Sequence, residues 1–312
     1  MIDPEGTPST PAGDPSAGNR ANEPANGPAD GPAIAAVVPA WGRPADVVAL
    51  FGDLERLEPA GRLRVVLVDN GSKPALEQHP QVAAALERLR ARVPVRVVRL
   101  AENRGGSGGF NAGMAAALAR EATGGGTDDA GGVPDYCWLV DSDARVEPGC
   151  LRALVTAAER RGPVAAVGAS IADPKTGRVF ETGGRLDRKT GRLVAQAAPA
   201  QDPIEVDYAA ACCLLVPRDA IDKAGLMPDL FLHSDDVAFG LRLRRATGRR
   251  VIAAPAAKCR HPRFDRYKTW ARYYEARNWV VPAGDAGLGV LARLRRSWRE
   301  VVLGIGQTLI GR

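Results

Sequence analysis

The chain has few of the residues that build metal knots or covalent bridges: three histidines and five cysteines among 312 residues. The cysteines (Cys137, Cys150, Cys212, Cys213, Cys259) are odd in number and never spaced C-x-x-C, so neither a zinc ribbon nor a disulfide framework is indicated. A reducing, cytoplasmic setting suits them best. No apolar run reaches the roughly 18 residues of a membrane span, and the N-terminus lacks a basic start followed by an apolar core. The chain also lacks a Walker A sequence and a G-x-G-x-x-G after its first strand, which argues against a P-loop enzyme or a Rossmann dehydrogenase. Aromatics make up only 5% and do not interleave with the arginines, so the net charge of +6 permits anionic partners without indicating nucleic acid.

What the chain does have is a run of short α/β units. Residues 1–33, rich in Pro, Gly, Ala, Asn and Asp, carry too little apolar surface to offset the entropy of ordering and read as a disordered tail. The apolar stretch Ile34 to Val38 reads as a strand stopped by Pro39, followed by Val47, Leu50, Phe51 and Leu54 at helical spacing. Leu63–Val68 and Val95–Leu100 are further strands, with a helix from Gln81 to Arg90 between them. Such alternation predicts βαβ crossovers and a parallel sheet. A glycine-rich loop from Asn103 to Gly113 then leads into a helix from Met114 to Glu121; glycines there let the backbone approach a ligand, and a helix N-terminus attracts anions.

The strand Tyr136–Val140 ends in Asp141-Ser142-Asp143. Ligands of open α/β sheets collect beyond the carboxyl ends of strands, and paired carboxylates suit a hard divalent cation and a phosphorylated ligand. A turn capping the next helix, which starts at Glu147-Pro148, stays open as a second reading. Residues 173–206 read as hairpins, and Tyr208–Val216 as an apolar strand in which Cys212 and Cys213 are core thiols. Asp235-Asp236 sit at a helix start, where capping explains one acid more easily than two. His261 follows another strand and is a candidate ligand; His79 and His233 have weaker claims.

Together these motifs resemble the inverting nucleotide-sugar transferases of glycosyltransferase family 2, and within it the actinobacterial galactofuranosyltransferases and rhamnosyltransferases. The resemblance covers about residues 34–280 and rests on the order and spacing of its motifs. It implies a GT-A fold of α/β class: a Rossmann-like nucleotide-binding half with a mostly parallel sheet, and a mixed acceptor-side half. It also implies donor-binding roles for Pro39, Arg43, Asp69, Asn103, Gly105, Gly106 and Arg277, the last in a Tyr273-Tyr274-x-x-Arg277-Asn278 helix. Asp141, Asp143 and His261 would bind Mn²⁺ or Mg²⁺, with Asp141 reaching the donor ribose or a metal-bound water. Asp236 would be the general base, with Asp235 orienting a sugar.

The implied donor is a UDP- or dTDP-linked sugar, galactofuranose before rhamnose, and the implied acceptor a glycan or polyprenyl-linked glycan. A basic stretch at 288–310, within a C-terminal segment 281–312, has the composition of an amphipathic helix that could lie on the inner face of a membrane or pack on the domain. A non-catalytic nucleotide-sugar-binding protein that keeps the fold is the competing expectation. Ala40, His233-Ser234 and Ala238 depart from the family pattern and leave donor and acceptor identity open.

Overall fold

The computed structural model describes residues 31–119, 132–190, 192–197, 202–263 and 269–285, with single positions at 287, 289, 298 and 302. Of the tail expected over 1–33, residues 1–30 lie outside the described residues, as does nearly all of the 288–310 stretch, while Ala33 is buried and already begins the first strand. In chain order the elements are β1 (Ala33–Ala40), α1 (Pro44–Leu54), β2 (Arg62–Asp69), α2 (Pro80–Arg90), β3 (Val95–Arg99), α3 (Gly105–Leu118), β4 (Tyr136–Val140) and β5 (Arg145–Val146). There follow α4 (Cys150–Arg160), β6 (Ala166–Ala172), β7 (Val179–Glu181), β8 (Gly184–Asp187), β9 (Arg192–Ala195), β10 (Ile204–Val206), β11 (Cys213–Pro217), α5 (Arg218–Ala224), α6 (Asp235–Thr247), β12 (Val251–Arg260), α7 (Thr269–Asn278) and α8 (Val280–Asp285).

One sheet runs in the order β10-β12-β6-β11-β4-β1-β2-β3, with β5 added to β12 and β7 to β6, while β8 and β9 form a separate hairpin. The first half is parallel, as the βαβ alternation requires: β1 pairs β2 and β4, and β2 pairs β3, all in parallel. β11 enters antiparallel between β4 and β6 and begins the mixed half.

Side chains alternate across the sheet with the two-residue period of a strand. Ile34, Ala36 and Val38 pack with Leu50, Phe51, Leu86 and Leu154 of α1, α2 and α4 on one face. Ala35 and Val37 pack with Phe110, Met114, Ile221 and Phe239 of α3, α5 and α6 on the other. Burial of these apolar faces is the main force holding the helices to the sheet.

Three expectations are corrected. β1 does not stop at Pro39 but runs to Ala40, because its ladder to β4 already ends at Val37 and the missing N–H of proline breaks no bond on that side. The glycine-rich segment is not a loop before a helix; α3 begins at Gly105. Glycine is a poor helix former, but a Cβ on Gly113 would stand 2.2 Å from Val37 Cγ1 and 3.0 Å from Val68 Cγ2, so close packing on the sheet decides. Finally, the apolar run from Tyr208 becomes strand only at Cys213, where pairing with Val140 begins. Tyr208 forms an isolated bridge to Gly184, and Cys212 gives its carbonyl to Asp141 N.

Candidate active site

The carboxyl end of β4 and the residue after β12 are joined by β5. Arg145 and Val146 pair antiparallel with Arg260 and Cys259, which draws the loop carrying Asp141 and Asp143 against His261. Asp53 of α1, 6% exposed, holds this bend from below: its carboxylate accepts from Arg145 Nε at 2.5 Å, Arg145 Nη2 at 2.8 Å and Val146 N at 3.3 Å.

His261 Nε2 consequently stands 3.3 Å from Asp141 Oδ2 and 3.1 Å from Asp143 Oδ1. Burial works against a charged imidazole, but the hydrogen bonds to Asp141 and Asp143 outweigh it and pull the His261 pKa up to about 12. Asp143 moves the other way. Burial opposes its ionisation, yet His261 and Arg43, whose Nη1 lies 3.2 Å away, hold it below the usual carboxylate range. One donor atom from each of Asp141, Asp143 and His261 fits within 4.8 Å, so a divalent cation would take the place of the proton that His261 shares with the two carboxylates, and the resulting carboxylate–imidazole set suits Mn²⁺ or Mg²⁺.

These residues line a cavity of about 620 Å³. Asp235 and Asp236, at the start of α6, and Glu181, at the end of β7, line the same cavity. Burial first, then the charge of Asp235 and of Glu181, pushes Asp236 well above an ordinary aspartate. Burial with the charge of Asp141 raises Asp235 to about 6, and burial raises Glu181 to about 7. Asp236 Oδ1 also accepts from Val237 N at 2.7 Å. A carboxylate held poised in this way suits general-base work near neutral pH.

The cavity therefore gathers Asp141, Asp143, Asp235, Asp236, His261 and Gly106 of the sequence-predicted set, and the others lie outside its lining. Asp69 is 1% exposed: Oδ1 accepts from Ser72 N, and Oδ2 from Leu76 N and Arg99 Nη1. Asn103 Oδ1 accepts from Gly105 N at 2.8 Å and from Asn70 Nδ2 at 3.2 Å. With Gly106 N donating to Phe231 O at 2.8 Å, the first two N–H groups of α3 already have partners within the protein. Pro39 packs under α3, where a Cβ on Gly109 would lie 2.7 Å from its Cβ. Arg277 is exposed, donates to Leu230 O at 3.0 Å and lies over the Tyr274 ring.

Sequence reasoning missed Glu181, Phe180 and Glu275, all of which line the cavity. Only the Thr182-Gly-Gly184 turn beside Glu181 marked that segment, and its pairing with Ile171 is not local.

A parallel half continued by a mixed one, in which β11 is antiparallel to its neighbours while β12 runs parallel to β6, with acids at the strand ends between them, is the GT-A arrangement, and solved structures bear out the fold. The chain superposes on TarS of S. aureus (residues 1–349) with a TM-score of 0.54 at 14% identity, covering 84% of this chain and 68% of that one. It superposes on the mannosyltransferase PcManGT of Pyrobaculum calidifontis, solved with GDP-Man and Mn²⁺, with a TM-score of 0.52 at 16% identity, covering 91% and 79%. Residues 35–225 match the profile of "Glycosyl transferase family 2", and the chain belongs to that family. It is 27% identical to the galactofuranosyltransferase GlfT2 of Mycolicibacterium smegmatis over 279 residues, which cover 80% of this chain, and equally identical to GlfT2 of Mycobacterium tuberculosis. The chain spans about two fifths of the length of these relatives, 40% and 41%.

Proposed function

We propose that the chain transfers a sugar from a nucleotide-sugar donor to an acceptor hydroxyl with inversion at the anomeric carbon. The observation that carries this reading is that Asp141, Asp143 and His261 line the same cavity as Asp235 and Asp236. Such a cavity can hold a diphosphate by the first group and an acceptor by the second.

The acceptor oxygen attacks the anomeric carbon while its proton passes to Asp236. The bond from that carbon to the diphosphate breaks, and its electron pair leaves with the nucleoside diphosphate. General-base assistance of this kind is worth about 10²–10⁴ in rate. Asp235 orients a sugar hydroxyl, and Glu181 with the flat ring of Phe180 offers the acceptor a hydrogen-bonding and a stacking partner. Mn²⁺ or Mg²⁺ held by Asp141, Asp143 and His261 would supply Lewis-acid neutralisation of the departing diphosphate; PcManGT, of like fold, was solved with both GDP-Man and Mn²⁺.

On the donor side, Arg43, Asp69, Asn103, Gly105 and Gly106 shape the β1, β2 and α3 loops that would enclose the nucleotide. The indole of Trp41, 57% exposed beside Arg43, offers a base a flat face. Arg277 acts through the loop before Asp235. Likeness to a galactofuranosyltransferase favours galactofuranose as the transferred sugar; the order of the motifs adds UDP as its carrier, dTDP-rhamnose as the next donor, and a glycan or polyprenyl-linked glycan as acceptor. No helix among the described residues is long and apolar enough to cross a membrane. A lipid-linked acceptor would be met at the cytoplasmic membrane face, where the basic 288–310 stretch gives a peripheral contact.

Incubation with isotopically labelled UDP-galactofuranose or dTDP-rhamnose and glycan acceptors tests the reading. Labelled product supports it; donor binding without product would make the chain a nucleotide-sugar-binding protein instead.

A further inference from the structure

The loop that leads into Asp235 is held in a shape its own residues resist. Phe231, His233 and Ser234 have φ of 65°, 65° and 64°, and none is glycine. Left-handed non-glycine residues persist only where the surroundings over-determine them, and here two elements do so.

From α3, Ser107 Oγ accepts from Leu230 N and Phe231 N, both at 3.1 Å, and Gly106 N donates to Phe231 O. A Cβ on Gly105 would stand 2.0 Å from that same Phe231 carbonyl oxygen, so only glycine admits so close an approach. From α7, Asn278 is 1% exposed and its Nδ2 lies 2.8 Å from Leu230 O, 2.6 Å from Leu232 O and 3.1 Å from His233 O. Carbonyls only accept, so the amide NH₂ must face the loop. Asn278 Oδ1 is turned the other way and accepts from Arg277 Nε at 2.8 Å. Arg277 Nη2 adds a second donor to Leu230 O at 3.0 Å, and the Tyr274 ring stacks on Phe231 with centroids 5.0 Å apart.

We propose that Asn278 is a positioning residue for Asp235 and Asp236. Its amide gathers three carbonyls of the strained loop and so sets where α6 begins and where its two acids enter the cavity. Asn278 is not among the cavity-lining residues and acts only through the loop. Its catalytic consequence rests on the reading of Asp236 as base. The geometry also explains why Arg277 and Asn278 act together: the arginine fixes the amide, and the amide fixes the loop.

The test uses the full chain with Asn278→Asp, which keeps the shape and removes both N–H donors, and with Asn278→Ala. Steady-state transfer, nucleoside diphosphate titration and amide hydrogen exchange are measured on each. Misplacing a catalytic group by about 1 Å can cost about 10²-fold. Turnover is therefore expected to fall by about 10–100-fold in both variants, while donor KM and nucleotide affinity shift by less than about threefold. Exchange in residues 229–236 should accelerate while that in β1 and β4 stays as in the parent chain. Turnover within about twofold of the parent would overturn the proposal. So would faster exchange spread evenly through the sheet, since that marks general destabilisation. If the parent chain transfers no sugar, the functional reading fails by itself, and exchange in 229–236 still decides whether Asn278 holds the loop.

Discussion

His261 Nε2 lies 3.1 Å from Asp143 Oδ1, although one residue follows the last long strand of the mixed half and the other follows the last strand of the parallel half. The pairing of β5 with β12 makes that meeting. A chelator such as EDTA is accordingly expected to abolish transfer, and added Mn²⁺ or Mg²⁺ to restore it. Asp143→Ala should not recover at the same metal concentration. Full activity in chelator would remove Asp143 and His261 as ligands.

The pH profile follows from Asp236. A general base works deprotonated, so activity is lost as pH falls through its pKa, which burial and the charges of Asp235 and Glu181 hold well above the aspartate range. The acid limb of kcat/KM should therefore stand well above pH 4. Glu181→Gln removes one of the charges that raise Asp236, and the limb should move toward lower pH. A limb that stays in place, or moves upward, contradicts the coupling.

Glu181 also bears on stability. Burial raises its pKa from 4.5 to about 7, so the folded chain binds this proton more tightly than the unfolded one. The sign follows from linkage: stability falls as pH rises from about 4.5 to about 7 and stays lower above that. Glu181→Gln is expected to melt higher than the parent at pH 8, with the two curves converging toward pH 4. A parent chain that is the more stable of the two at pH 8 would contradict the burial argument.

Glycine to alanine changes should split by position. Gly113→Ala forces a Cβ to 2.2 Å from Val37 Cγ1 and is expected to cost about 1–3 kcal/mol through overpacking. Gly52→Ala, in α1, meets nothing nearer than Arg56 Nη1 at 3.6 Å and should gain about 0.5–1 kcal/mol from helix propensity. Denaturant unfolding of the two variants measures both; a neutral Gly113→Ala would mean that α3 can move away from the sheet.

The parallel half was legible because each strand and helix there carries its own period, and the acids at 141, 143, 235 and 236 because each pair closes or opens a regular element. Glu181 was not legible: it lies among short turns and enters the cavity only through pairing across β6 and β7. Asp69 and Asn103 occupy the segments that sequence pointed to, yet their oxygens bond to Ser72, Leu76 and Gly105. Motif position says which loop forms the site but not which way a short polar side chain turns. The start of α3 was misjudged for a related reason. Glycine propensity is local, whereas the contact of Gly113 with Val37 is between distant parts of the chain.

The central claim is that Asp236 takes the acceptor proton. Asp236→Asn keeps the side-chain size and removes the basic oxygen, so labelled-sugar transfer should fall by about 10²-fold or more while nucleoside diphosphate affinity stays near that of the parent chain. Undiminished transfer by Asp236→Asn would contradict the account.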